Sequence, residues 1–327
     1  MPLAGWRRRP VAAIVRAMSN PSTRHNLWGI ACLCIGVAIF STQDAIIKGI
    51  SGEYPVTQAM VTRSLVALPI LAVFVQWEGG LKQLRSPRFW ILTLRGFILF
   101  LAYTTYYIAF PALPLADAIA LFFTAPLMIT FLAVPILNER VALKEWIAAG
   151  IGFLGVLIML RPGSGLFEPA ALLSLASAFF YSVAAIVARK LGVEEKASVM
   201  AFYQNIVFLT GAVLMAVCFA GFGIETSPHP SLEFLVRPWA WPTLRDLLLM
   251  GACGVIAAVA MSLLTNAYRL AQASLVSVFE YTGMLWTPLW GFFFFNEIPT
   301  WGTVIGALLI AAAGILAILG PGRQRGS

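Results

Sequence analysis

Four charged side chains stand inside long apolar stretches of this chain: Asp44, Arg63, Arg95 and Glu280. An ionisable group in such a stretch is costly, and by default it marks a functional site. Asp44 and Arg63 fall at matching depth on consecutive stretches, roughly 7–11 Å from one end. They are expected to pair, either pinning two helices together or gating a path. Lys48, four residues after Asp44, shares its helix face and competes for it. Arg95 and Glu280 enter from the other end, with Glu280 roughly 14 Å deep. A carboxylate there can bind a solute ammonium, carry a proton or bond to a neighbouring helix. Arg95 either holds an anionic group or extends to the membrane boundary. The amides of Gln204 and Asn205 either join helices or line a cavity. Tyr103, Tyr107, Tyr181, Tyr281 and Trp286 supply aromatic faces with polar handles, suited to a small amphipathic solute. Tyr268, Trp77, Trp90 and Trp301 fit a membrane-interface belt better.

The elements that must position these groups follow from composition. The 327 residues are 60% hydrophobic and only 11% charged, against ~25% charged in a soluble domain. Disorder and a disulfide scaffold are excluded by the same numbers and by four cysteines in the whole chain. A polytopic membrane protein remains, each helical span taking ~20 apolar residues. Ten spans are expected, near 27–47, 56–77, 89–110, 115–136, 143–160, 168–188, 198–221, 246–268, 271–295 and 300–319. The runs are continuous rather than alternating, which favours helices over a barrel. With a cytoplasmic N-terminus, 16 of the 22 Lys and Arg residues fall in cytoplasmic segments and four outside. Both termini are therefore expected in the cytoplasm. Residues 1–26 and 320–327 read as cytoplasmic tails, the first of them basic. The Trp-rich, Pro-rich loop of about 222–245 reads as an interface segment.

The chain repeats itself. Leu-Ala-Asp117-Ala matches Leu-Ala-Gln272-Ala, and Asn138-Glu139 matches Asn296-Glu297. Each Asn-Glu leads into a Gly-rich helix ending in Gly155-Val or Gly314-Ile. The front halves match more faintly: Arg63 follows Lys48 by the same 15 residues that separate Gln204 from Arg189. Five spans per copy is an odd number, so the two copies must face opposite ways in the membrane, a plan common in alternating-access transporters. The repeats are read as 27–161 and 167–319. Anchored on Leu-Ala-x-Ala, Pro126 faces Tyr281; anchored on Asn-Glu, it faces Met284.

These paired halves resemble the drug/metabolite transporter superfamily, EamA type, over about Leu27 to Leu319. In general pattern the chain is similar to bacterial amino-acid exporters of the YddG kind. The resemblance implies an all-α fold of ten helices in two inverted five-helix repeats, a central pathway, and export of amino acids, aromatic or otherwise neutral, from a bacterial inner membrane. Import of a vitamin such as riboflavin stays open, as does a non-transporting scaffold.

Several chemistries are absent from the sequence. The two histidines, His25 and His229, lie outside the spans, so no intramembrane His-based metal site or acid–base centre is expected. No G-x-x-x-x-G-K-[ST] motif is present, and no span carries a row of arginines. No cofactor, metal, catalytic residue or nucleic-acid partner is expected. The expected partners are a small-molecule solute and the lipid bilayer, and a monomer would suffice.

Overall fold

The computed structural model of the chain describes residues 21–50, 53–109, 115–160, 170–192, 194–223, 227, 230–286, 289 and 301–318. Among them regular structure is helical throughout. In chain order the helices are α1 (Pro21–Ile50), α2 (Val56–Gly79), α3 (Phe89–Ala109), α4 (Leu115–Phe122), α5 (Ala125–Leu137) and α6 (Leu143–Leu160). Then come α7 (Ala171–Leu191), α8 (Ala197–Gly221), α9 (Pro230–Val236), α10 (Leu244–Leu270), α11 (Ala273–Ser277) and α12 (Trp301–Ile318). Eight helical stretches among the described residues are long and apolar enough to cross a membrane. The helix α6 adds 18 residues at the expected fifth span. The expected ninth span, 271–295, lies partly outside the described residues. Leu65, Leu94, Phe131, Leu154, Leu172, Leu214, Leu248 and Leu308 are all exposed, as a lipid-facing surface requires.

Two of the expected spans are broken. The fourth stops at Phe122 and restarts at Ala125. Pro126 explains this: it has no N–H, and its ring crowds the carbonyl four residues back. The Thr124 hydroxyl donates to the Leu121 carbonyl at 2.7 Å within the break. In the second half, α11 gives way to a 3-10 turn, Val278–Thr282, where the Thr282 hydroxyl donates to the Phe279 carbonyl at 2.6 Å. With Leu-Ala-x-Ala as anchor, Phe123 and Thr124 fall on Val278 and Phe279. Both halves therefore break at the same repeat position, and the second break carries Glu280.

The halves pack against each other in reciprocal pairs. The main partners are α1 with α10, α3 with α7, α2 with α8, and α6 with α12, joined by α2 with α10 and α3 with α8. Exchanging first-half for second-half spans turns α1–α10 into α7–α3, and α2–α10 into α8–α3. It leaves α2–α8 and α6–α12 unchanged. The loops obey the same rule. Residues 80–88 meet 192–196 through the Arg88–Glu194 ion pair and the Ser86–Glu195 hydrogen bond. At the opposite end, Tyr54 donates to Asp246 at 2.9 Å, and Trp239 Nε1 donates to Thr57 at 3.1 Å.

The Asn-Glu motif acquires a structural meaning here. Asn138 caps α5 in the left-handed region at φ 52°, a conformation asparagine tolerates. It turns Glu139 across to the other half, where the carboxylate accepts from the backbone N–H groups of Ala273 and Ser274 at 3.2 and 3.3 Å. Those are the orphan donors at the start of α11. The counterpart Asn296-Glu297 lies outside the described residues.

The α6–α12 crossing rests on two glycines. A Cβ on Gly306 would stand 2.5 Å from the Gly155 carbonyl oxygen, and one on Gly155 would stand 2.8 Å from that of Gly306. Backbones meet this closely only where side chains are missing, the habit of membrane helix interfaces. Gly306→Val is expected to force α6 and α12 apart and to destabilise the protein by about 1–3 kcal/mol. Thermal unfolding of the purified protein in detergent checks this, and an unchanged midpoint would refute the close crossing.

Candidate functional site

The polar groups collect where the halves meet. Arg95, on α3, is 5% exposed. Its Nε donates to the Ala184 carbonyl on α7 at 3.3 Å, its Nη1 to Gln204 Oε1 on α8 at 3.5 Å, and its Nη2 to Thr265 Oγ1 on α10 at 3.2 Å. One guanidinium thus ties together four helices drawn from both halves. It does not extend to the boundary, and every one of these acceptors is neutral. No described carboxylate forms an ion pair with it.

Arg95 lines a cavity between the halves. The walls are Leu99 and Tyr103 from α3, Tyr181 and Ala185 from α7, Gln204 from α8, and Met261, Leu264, Thr265 and Tyr268 from α10. Behind two of those tyrosines stands Glu280, 5% exposed. Its Oε1 accepts from the Tyr181 hydroxyl at 2.7 Å and from the Tyr268 hydroxyl. The break in the ninth span positions this carboxylate, since the 3-10 turn offers it toward α7 and α10. Tyr268 is therefore no interface residue: it is 2% exposed and bonded to Glu280.

Toward the other end of the bundle a second polar cluster surrounds Arg63, which is 1% exposed. Its guanidinium carbon lies 5.3 Å from the Phe208 ring centre and 6.0 Å from that of Tyr103. With the Gln43 amide turned to the orientation that satisfies both its groups, Nη1 donates to its side-chain oxygen at 3.2 Å and its NH₂ donates to the Cys253 carbonyl at 3.1 Å. The same amide lies 3.3 Å from the Tyr107 hydroxyl. Nε and Nη2 of Arg63 have no hydrogen-bond partner among the described residues. The side chains of Asp44, expected to pair with Arg63, and of Lys48, expected to compete for it, lie outside the described residues.

The remaining expected site residues divide. Asn205 Nδ2 donates to the Ser64 carbonyl at 2.9 Å, which joins α8 to α2. Tyr281 packs behind the break, its ring 5.9 Å from that of Phe123 and pressed on Gly152. It sits among Val156, Met284 and Ile310 rather than in the cavity wall. Trp286, half-buried, follows the 3-10 turn on residues 283–286. Sequence reasoning missed Gln43, Thr265 and Phe208. Only Gln43 left a signal, as a polar residue beside Asp44 in an apolar run.

The EamA-like transporter family matches residues 27–161 and again 168–319. An S-adenosylmethionine uptake transporter of Rickettsia prowazekii (strain Madrid E) is 26% identical over 299 residues, covering 91% of this chain and 95% of its own. The pseudopaline exporter CntI of Pseudomonas aeruginosa (strain UCBPP-PA14) is 27% identical over 287 residues, covering 87% and 94%. A riboflavin transporter of Vibrio cholerae serotype O1 is 26% identical over 290 residues, covering 88% and 91%. A crystal structure at 20% identity superposes with a TM-score of 0.72 over 90% of this chain and 97% of the other, which establishes a shared fold.

The two tyrosines carry a checkable share of the packing. Tyr181→Phe removes one of the two donors that hold the buried Glu280 carboxylate. It is expected to cost about 1–3 kcal/mol, and Tyr181→Phe with Tyr268→Phe more than either alone. Thermal unfolding in detergent measures both. A double variant as stable as the parent would refute the assigned hydrogen bonds.

Proposed function

We propose a transport cycle for this chain, which belongs to the EamA-like transporter family and is a multi-pass carrier of small metabolites. In it the two halves rock about the cavity beside Arg95 and carry an amphipathic solute bearing a carboxylate, of the amino-acid kind. One observation carries this reading: Arg95 is buried among neutral acceptors. A buried charge without a counter-charge is costly, and an opposite charge brought within contact offsets that cost. A solute carboxylate supplies it. Tyr103, Tyr181 and Tyr268 wall the same cavity and suit a flat or aromatic body. The Glu280 carboxylate, reached through Tyr181 and Tyr268, suits an ammonium.

The relatives support a small organic cargo, since they are named for S-adenosylmethionine, pseudopaline and riboflavin. S-adenosylmethionine combines an amino-acid head with a flat ring, the combination this cavity would accept. Both termini are placed in the cytoplasm on the distribution of Lys and Arg. That puts the Arg95 cavity toward the cytoplasmic ends of α3, α7, α8 and α10. For amino-acid cargo the expected direction is outward.

Proteoliposomes test the reading. Radiolabelled phenylalanine, tryptophan, S-adenosylmethionine and riboflavin are each assayed for flux against empty vesicles. At least one amino-acid-headed solute is expected to cross, and Arg95→Gln is expected to lower its kcat/KM at least tenfold, about 1.4 kcal/mol. Flux of riboflavin alone would contradict the carboxylate assignment and leave only the tyrosine wall. No flux of any of the four would contradict the cycle.

A further inference from the structure

The Arg63 cluster borders a second cavity. Met60 on α2, Ile47 on α1, Tyr107 on α3, and Met250 and Cys253 on α10 share its wall with Arg63. Its walls come from spans eight, one, two and three. The first cavity is walled by spans three, six, seven and eight. Exchanging the two halves converts one set into the other, so the cavities are counterparts under the internal repeat. They also lie toward opposite ends of the bundle. The first sits near the starts of α3 and α8 and the end of α10. The second sits near the starts of α2 and α10 and the ends of α1 and α3.

What separates them is thin. Tyr103 lines the first cavity and Tyr107 the second, with ring centres 6.2 Å apart on adjacent turns of α3. The Arg63 guanidinium lies against Tyr103 and lines the second cavity. The sequence match of Arg63 to Gln204 holds in space: each is the polar wall group from the second span of its half. Where the first cavity has an amide at this place, the second has a cation.

We propose that the second cavity is an anion-binding station, with the Arg63 guanidinium as its receptor for a carboxylate. Two features suit it to that role. Nε and Nη2 are buried and have no hydrogen-bond partner among the described residues, and buried donors left unsatisfied are costly. Nε and an Nη on a guanidinium form the planar fork that takes a carboxylate in two parallel hydrogen bonds. Gln43 holds the third donor and thereby fixes the fork's direction. In the transport cycle the station takes over the carboxylate that Arg95 releases, so that role rests on the proposed function; the anion preference does not.

The thiol of Cys253 reports on this cavity directly. In the full chain with Cys32, Cys34 and Cys218 replaced by Ser, reconstituted in liposomes, two methanethiosulfonates of similar size are compared. One is the anionic 2-sulfonatoethyl reagent and the other the cationic 2-(trimethylammonio)ethyl reagent, each rate being normalised to a small thiol in solution. The anionic reagent is expected to label Cys253 at least ten times faster. Arg63→Gln is expected to bring the ratio within twofold of one, and Arg63→Lys to keep most of the preference. Equal rates with Arg63 in place, no labelling from either face, or a preference unchanged in Arg63→Gln would each overturn the proposal. If Arg63→Gln does not fold, the parent and Arg63→Lys ratios decide. The reagents need no transported solute, so failed flux would contradict the transport reading while leaving this result intact.

Discussion

Two halves that match the same family domain must bury their apolar faces on each other. That single constraint organises the molecule. Among the described helices the main cross-half contacts come in mated pairs. Thus α1–α10 answers α3–α7, and α2–α10 answers α3–α8. The pairs are alike in kind and lie at opposite ends. In the proposed cycle, rocking of one half would loosen one set while tightening the other. The α6–α12 crossing, closed on Gly155 and Gly306, maps onto itself under the exchange and can serve as a fixed seam.

Polar chemistry follows from the same arrangement. Each wall of the central space is built from both halves, so a group at the centre is held by several helices at once. Arg95 binds side chains or carbonyls on three other helices, and Gln43 likewise meets groups on three helices other than its own. Among the described residues in this region the buried cations are Arg95 and Arg63, and the buried carboxylate is Glu280, held by two tyrosine hydroxyls. Neither arginine forms an ion pair with a described acidic group. A permanent counter-ion would satisfy them and also lock them. In the proposed cycle a solute carboxylate would complete that charge, leaving the resting site incomplete and the loaded arginine neutralised.

Much of this was legible in the sequence. Apolar runs gave the spans, because lipid demands an uninterrupted helical ladder and long apolar cover. The Leu-Ala-x-Ala and Asn-Glu pairs gave the repeat, and the charge count singled out Arg63, Arg95 and Glu280. The breaks at Phe123–Thr124 and Val278–Thr282 were not legible as breaks. Pro126 hinted at the first, while the second has no proline and depends on tertiary contacts. The sequence also placed Tyr268 in an interface belt, since position along a span says nothing about which neighbour a hydroxyl meets. Gln43 escaped for the opposite reason: an amide carries no charge, and its importance comes from three partners on three other spans. Asn138 and Glu139 were seen as a motif, but only the fold shows one capping its own helix and the other capping a helix of the opposite half.

Reciprocity of the two ends is the claim from which the rest follows. Spin-label pairs placed on the loops at each end, between residues 82 and 194 and between residues 53 and 243, measure it by pulsed electron resonance. A transported solute should move the two distance distributions in opposite senses, one shortening as the other lengthens. Distances that move together, or that both stay fixed while solute crosses the membrane, would contradict the account.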